Sequence, residues 1–317
     1  MKHFLTLLLI LVLCSGILAG CKGTEQSATT APANSSTAEN TPTQKPTNTP
    51  KLTIPPEPTE FASKVEELEY RLTVSMLTDP VFEYCPEYDP AGYPNIKAIW
   101  FTGAKYGDKD TKVFAYIGFP SNASAENPVP AVVLMHGGGG YAFPEWVKIW
   151  NNRGYAAIAV GNTGYFPAKE GITNFYEASN WTRRVPKDVS EKDPRILPPD
   201  NDSMTSSKRD LTKQWMYHAV SQAIIANNIL RNDERVDESK VGITGISWGS
   251  VITSITNGYD DRFAFAVPVY AGGYLSEALT WIKGNFSMKE TQELWGAENR
   301  FNKVKMPVLF LTGATDP

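Results

Sequence analysis

The 317-residue chain carries 30 Lys and Arg against 34 Asp and Glu, a formal charge of −4, with 42% hydrophobic residues, three Cys and three His. Mild acidity without any basic cluster excludes nucleic acid and a polybasic membrane patch as partners. Three histidines offer no metal-ligand spacing, and no G-x-G-x-x-G or Walker-type loop follows a strand, so neither a metal nor another cofactor is expected.

Residues 1–20 read as a secretory signal. Lys2 and His3 precede a mostly apolar run from Phe4 to Leu13, and Leu18-Ala19-Gly20-Cys21 closes the segment. A bilayer core needs roughly 20 consecutive apolar residues, and Cys14-Ser15-Gly16 interrupts this run, so a spanning helix is not expected. The closing tetrapeptide resembles the lipobox of bacterial lipoproteins, which implies lipidation of Cys21 and an extracytoplasmic, membrane-anchored protein; an ordinary signal with a chance cysteine is the alternative. Residues 21–58 are mainly Thr, Ser, Pro, Ala and Gln, too poor in apolar side chains to offset the entropy of ordering. They are expected to form a disordered, extended tether. Losing Lys2 with the signal takes the formal charge from −4 to −5, and Cys85 is left as a free core or loop thiol.

The remainder, 59–317, fits one α/β domain. Ile96 to Phe101 and Val113 to Phe119 read as paired strands around the polar turn Tyr106 to Asp110. Ala131 to Met135 is apolar on both faces, as a central parallel strand is, and ends in His136-Gly137-Gly138-Gly139-Gly140. A short helix over Phe143 to Asn152 and a buried strand over Ala156 to Val160 follow. Periodicity then vanishes between Gly161 and Asp210, where Tyr165, Phe166, Phe175, Tyr176 and Trp181 dot a polar segment. So long an irregular stretch is usually functional or mobile, which makes 162–210 a candidate cap over a substrate cleft, against a surface excursion of no consequence. Leu211 to Arg231 is the clearest helix, with one apolar stripe through Met216, Ala219, Val220, Ala223, Ile224 and Leu230. Strands at Val241 to Thr244, Phe265 to Val269 and Val308 to Leu311, with a helix from Trp248, complete a mostly parallel sheet covered by helices on both faces.

Three motifs carry chemistry. Gly245-Ile246-Ser247-Trp248-Gly249 matches G-x-S-x-G in the strand–turn–helix setting that a nucleophile elbow requires. The flanking glycines let a serine sit in a sharp, strained turn with its hydroxyl clear of the sheet. The glycine run 137–140 allows backbone N–H groups to point inward and join that of Trp248 as an oxyanion hole. Asp316 follows the strand Pro307 to Leu311 and fits the acid that orients a catalytic histidine, against a loop aspartate that only forms a turn. The expected chain order is Ser, acid, His, so the histidine should lie beyond Pro317. The fold is therefore expected to be truncated at its C-terminus, with the 317-residue chain nearly inactive. His136 is read as a brace of the oxyanion loop rather than the base, and His218 as a residue on the polar face of its helix.

These stretches together resemble acetylxylan esterase-like and dienelactone hydrolase-like α/β-hydrolases. The resemblance rests on 236–249, on Asp260-Asp261-Arg262-Phe263 with Ala266 to Tyr270, on the 136–140 loop, and on Met306-Pro307-Val308 running to Asp316. It implies an α/β-hydrolase fold, Ser247 as nucleophile, Asp316 as acid and amides near Gly137, Gly138 and Trp248 as oxyanion donors. It departs at Gly161-Asn162, where relatives often place an acidic residue, and in the histidine. The expected function is serine-dependent hydrolysis of a small-molecule or polysaccharide carboxylic ester, favouring acetyl groups on plant polysaccharide; the aromatics of 165–181 add to that reading. A serine peptidase of the prolyl oligopeptidase type and a non-catalytic ligand-binding lipoprotein are the alternatives.

Overall fold

In a computed structural model, residues 53–182, 207–280 and 282–313 are described, and all fall in one compact unit spanning Pro42–Pro317. Cys21, the signal, most of the tether, much of the 162–210 segment and Asp316 lie outside the described residues.

The first helix among the described residues is α1 (Lys64–Leu77), started by Ser63, whose Oγ accepts from the Glu66 amide at 3.2 Å, while Glu66 Oε2 accepts from the Ala62 amide at 2.6 Å. This reciprocal arrangement satisfies amides that a helix start leaves without intrahelical partners. Seven strands follow as one sheet: β1 (Phe82–Tyr84), β2 (Ile96–Thr102), β3 (Lys112–Gly118), β4 (Val129–Met135), β5 (Ala156–Val160), β8 (Val236–Ile246) and β9 (Phe265–Val269). Their spatial order is β1-β2-β3-β5-β4-β8-β9. The β1, β2 and β3 pairings, including β3 with β5, are antiparallel. From β5 to β9 the sheet is parallel, and the stretch 308–311 continues it beside β9 through the pairs Ala266↔Val308 and Val269↔Leu311.

Alternation assigns the two faces. Ala131, Val133 and Met135 of β4 and Ala156, Ile158 and Val160 of β5 join one core, with Leu68 and Leu72 of α1. Helices α3 (Trp215–Arg231) and α4 (Trp248–Asn257) pack in that core. Val132, Leu134, Ala157 and Ala159 join the other, together with Val147 of helix α2 (Pro144–Asn151). Successive strand residues point to opposite sides, so a central strand apolar throughout must be covered on both faces, as it is here.

Two expectations change. Helix α3 is buried all round: Gln222, Asn227, Asn228 and His218 are as inaccessible as its apolar stripe. The reason is tertiary, because α1 lies over the face opposite the sheet and Asn228 Nδ2 donates to the Ser75 carbonyl at 2.9 Å. His218 is therefore not on a solvent face. Strand β8 also begins five residues before the predicted Val241. Its polar start, 237–240, bulges between the pairs Val129↔Val236 and Ala131↔Val241. An unbroken polar run, Asp237 to Lys240, hid the start of this strand, whose residues there are half-buried or exposed.

After β5 the chain forms a two-stranded ribbon of β6 (Phe166–Pro167) and β7 (Trp181–Thr182). Phe166, Phe175 and Trp181 sink into the second core against Trp100, Phe114 and Tyr116. Of the five aromatics noted in the sequence, Tyr176 alone is largely exposed, at 48%. Most of that aromatic signal is core packing, not a platform for a sugar ring. Short helices α5 (Ile282–Asn285) and α6 (Lys289–Trp295) lead toward the 308–311 stretch. Cys85 is buried and free, and burial pushes its thiol well above the usual range.

Candidate active site

Ser247 stands between β8 and α4 with φ 57° and ψ −120°, a conformation that costs a non-glycine residue about 1–3 kcal/mol. Its side chain is exposed, and the hydroxyl makes no hydrogen bond among the described residues. Its backbone amide donates to the Val269 carbonyl at 2.9 Å, and its carbonyl accepts from the Ser250 amide at 2.8 Å, the first turn of α4.

The two motif glycines are steric requirements. A Cβ on Gly245 would lie 2.3 Å from the Gly249 carbonyl oxygen, and one on Gly249 would lie 2.1 Å from the Met135 carbonyl oxygen. The elbow can turn this tightly only because α4 starts in contact with both its own strand and the end of β4. The sequence reading of these glycines holds, and the structure identifies what each one avoids.

The loop 136–140 leaves β4 beside this turn. A Cβ on Gly137 would lie 3.2 Å from Ser247 Cβ and 3.7 Å from its Oγ, so this backbone abuts the serine. The Gly137 carbonyl accepts from the Gly140 amide at 2.9 Å and contacts His136 Nδ1 at 2.6 Å, which closes the glycine run into a turn. Trp248 is the first residue of α4, where amides and the helix dipole favour negative charge.

Neither described histidine reaches Ser247. His136 is 1% exposed, and burial pushes its imidazole down to about 4, so it stays neutral near pH 7. Its Nδ1 contact to the following carbonyl matches the bracing role read from the sequence. His218 contacts the Thr212 carbonyl through Nε2 at 2.8 Å and stacks on Tyr106, and burial lowers it likewise to about 4. Asp316 lies outside the described residues. The strand before it is parallel to β9, and the Tyr270 amide donates to the Leu311 carbonyl at 2.8 Å. That strand therefore ends on the rim where Ser247 sits.

Two residues of this neighbourhood were not singled out as site residues by the sequence. Asn162, fully buried just past β5, donates from Nδ2 to the His136 carbonyl at 3.1 Å. Trp215, fully buried at the start of α3, donates from Nε1 to the Asn162 carbonyl at 2.9 Å. Asn162 had one available signal, its place at the C-terminal end of a buried parallel strand. Trp215 had none.

The fold is similar to that of an acetyl xylan esterase from Paenibacillus sp. R4, with a TM-score of 0.53 at 17% identity and 80% of each chain covered. It is similar also to acetyl xylan esterase 1 from Thermoanaerobacterium sp. JW/SL YS485, with a TM-score of 0.53 at 15% identity and 77% of each chain covered. The chain has the α/β-hydrolase fold of these structures. No protein-family model matches it, and no curated protein matches it in sequence.

Proposed function

We propose that this protein is a serine-dependent carboxylic-ester hydrolase with Ser247 as its nucleophile. The observation that carries the reading is the strained, exposed Ser247 with the Gly137 backbone packed against it. Strain at an exposed nucleophilic residue, beside glycine backbone and a helix N-terminus, is the geometry acyl transfer needs. In the proposed reaction Ser247 Oγ attacks the ester carbonyl while a histidine takes its proton. The carbonyl oxygen becomes an oxyanion facing the amides of Gly137, Gly138 and Trp248. Collapse expels the alcohol, which receives that proton, and water then releases the acid from the acyl-serine. We assign the orienting carboxylate to Asp316; His136 and His218 are both engaged elsewhere and are not assigned as the base.

The favoured substrates are acetyl esters of plant polysaccharide, a reading supported by the motif resemblance and by the fold shared with two acetyl xylan esterases. The lipobox-like Leu18 to Cys21 supports anchorage outside the cytoplasm through lipid on Cys21. Acetate release from p-nitrophenyl acetate and from acetylated xylan by the full-length protein, compared with Ser247→Ala, tests the proposal. Loss of release in the variant is expected, and equal rates would sink it.

A further inference from the structure

Resting on that reading of Ser247, we infer that Asn162 and Trp215 are positioning residues that tie the two halves of the oxyanion hole together. The two halves come from separate elements: Gly137 follows β4, and Trp248 opens α4. Their spacing must be held closely, because donors serve only when they lie about 2.7–3.1 Å from the oxyanion's position.

Trp215 touches both sides. Its ring meets that of Trp248 edge-on, with centroids 5.9 Å apart and planes at 85°. Its Nε1–H donates to the Asn162 carbonyl, and the Asn162 side chain donates in turn to the His136 carbonyl. That last bond aims the donor. The His136 C=O and the Gly137 N–H belong to one planar trans peptide and point in opposite directions. Gripping the carbonyl from the β5 side therefore turns the Gly137 N–H the other way. That N–H has no acceptor among the described residues, and the residue carrying it lies against Ser247.

The chemistry of position 162 fits this role. A carboxylate there would place negative charge against the His136 carbonyl, whereas an amide supplies the donor that the contact requires. Neither Asn162 nor Trp215 hydrogen-bonds Ser247, so the effect inferred for them passes through the geometry of the amides.

The test uses full-length Asn162→Leu, which keeps the branched skeleton but lacks the donor, and Trp215→Phe, which keeps an aromatic side chain, though a smaller one, and loses the N–H. Ester turnover, binding of a trifluoromethyl ketone (which forms a tetrahedral adduct on the serine) and thermal melting are measured together. Asn162→Leu is expected to lower kcat about 10- to 100-fold, short of the roughly 10²–10³ for outright loss of a donor, with KM nearly unchanged. Ketone affinity should fall in parallel. Trp215→Phe should follow in the same direction by a smaller factor. Variants that fold and keep wild-type kcat and ketone affinity would overturn the inference, as would a loss of kcat explained by the unfolded fraction alone. Should Asn162→Leu not fold, Trp215→Phe decides by the same measures. Absence of Ser247-dependent turnover in the wild type is a different failure: it removes the proposed function itself and the inference with it.

Discussion

Ser247 passes its backbone amide to the carbonyl of Val269, 2.9 Å away, at the point where β8 and β9 end together. Ile246 and Val269 are the last paired residues of those strands. The next two, Ser247 and Tyr270, both have positive φ, 57° and 61°. Tyr270 repeats the arrangement one strand further on, donating to Leu311 at 2.8 Å. Each strand thus hands its first amide beyond the ladder to its neighbour. The hydrogen bond helps to hold Ser247 in a conformation its side chain disfavours.

Gly249→Ala should be poorly tolerated. The new methyl would meet the Met135 carbonyl carbon and oxygen, backbone atoms of the central strand that have little room to move. The expected cost is about 3 kcal/mol, near the upper end for overpacking. Gly139→Ala, which meets nothing within 4 Å, should change stability by less than about 0.5 kcal/mol. Urea denaturation of the two variants separates them, and similar midpoints would contradict the packing described for the elbow.

Gly137→Ala should act on rate more than on stability. Its methyl would sit 3.2 Å from both the Ile246 carbonyl oxygen and Ser247 Cβ, a tight contact rather than an overlap. Shifting this backbone misplaces an amide, so kcat for an activated ester should fall about 10²-fold. Unchanged kcat in a folded variant would exclude Gly137 from the hole.

Acid should destabilise the protein through its buried imidazoles. Burial lowers His136 and His218 from the ordinary 6.5 to about 4, so between those values the unfolded chain binds protons that the folded chain refuses. Stability is full above about pH 6.5 and falls as pH drops toward about 4, on the order of 3 kcal/mol for each histidine at most. His218→Gln should flatten part of that slope in denaturation midpoints taken across the range. An unaltered slope would mean that His218 does not contribute.

Asn228→Leu should loosen helix α1. The Asn228 amide nitrogen lies within reach of the carbonyls of Ser75, Met76 and Thr78, the last at 3.1 Å, where the helix ends. Removing the donor leaves these carbonyls less well partnered, at a cost of about 1–3 kcal/mol. Hydrogen exchange of the α1 amides should accelerate ahead of those of β4.

The elbow, the glycine loop and the central strands can be read without coordinates, because each depends on neighbours within a few residues. A G-x-S-x-G turn between a buried strand and a helix needs small residues for local reasons, and a strand apolar on both faces announces its own burial. The places of Ser247 and Trp248 at the elbow and of Gly137 just past β4 were legible on those grounds. What covers what depends on packing between elements distant in sequence. Helix α3 reads as amphipathic, yet α1 covers it at Asn228, and Tyr106 with Thr212 takes His218 out of solvent. Phe166, Phe175 and Trp181 stand in a segment without periodicity, and the structure sinks them into a core against β2 and β3. Asn162 and Trp215 stand 53 residues apart in sequence and are joined by one hydrogen bond. No periodicity encodes such a bond, because it exists only once β5 and α3 have packed on the same sheet.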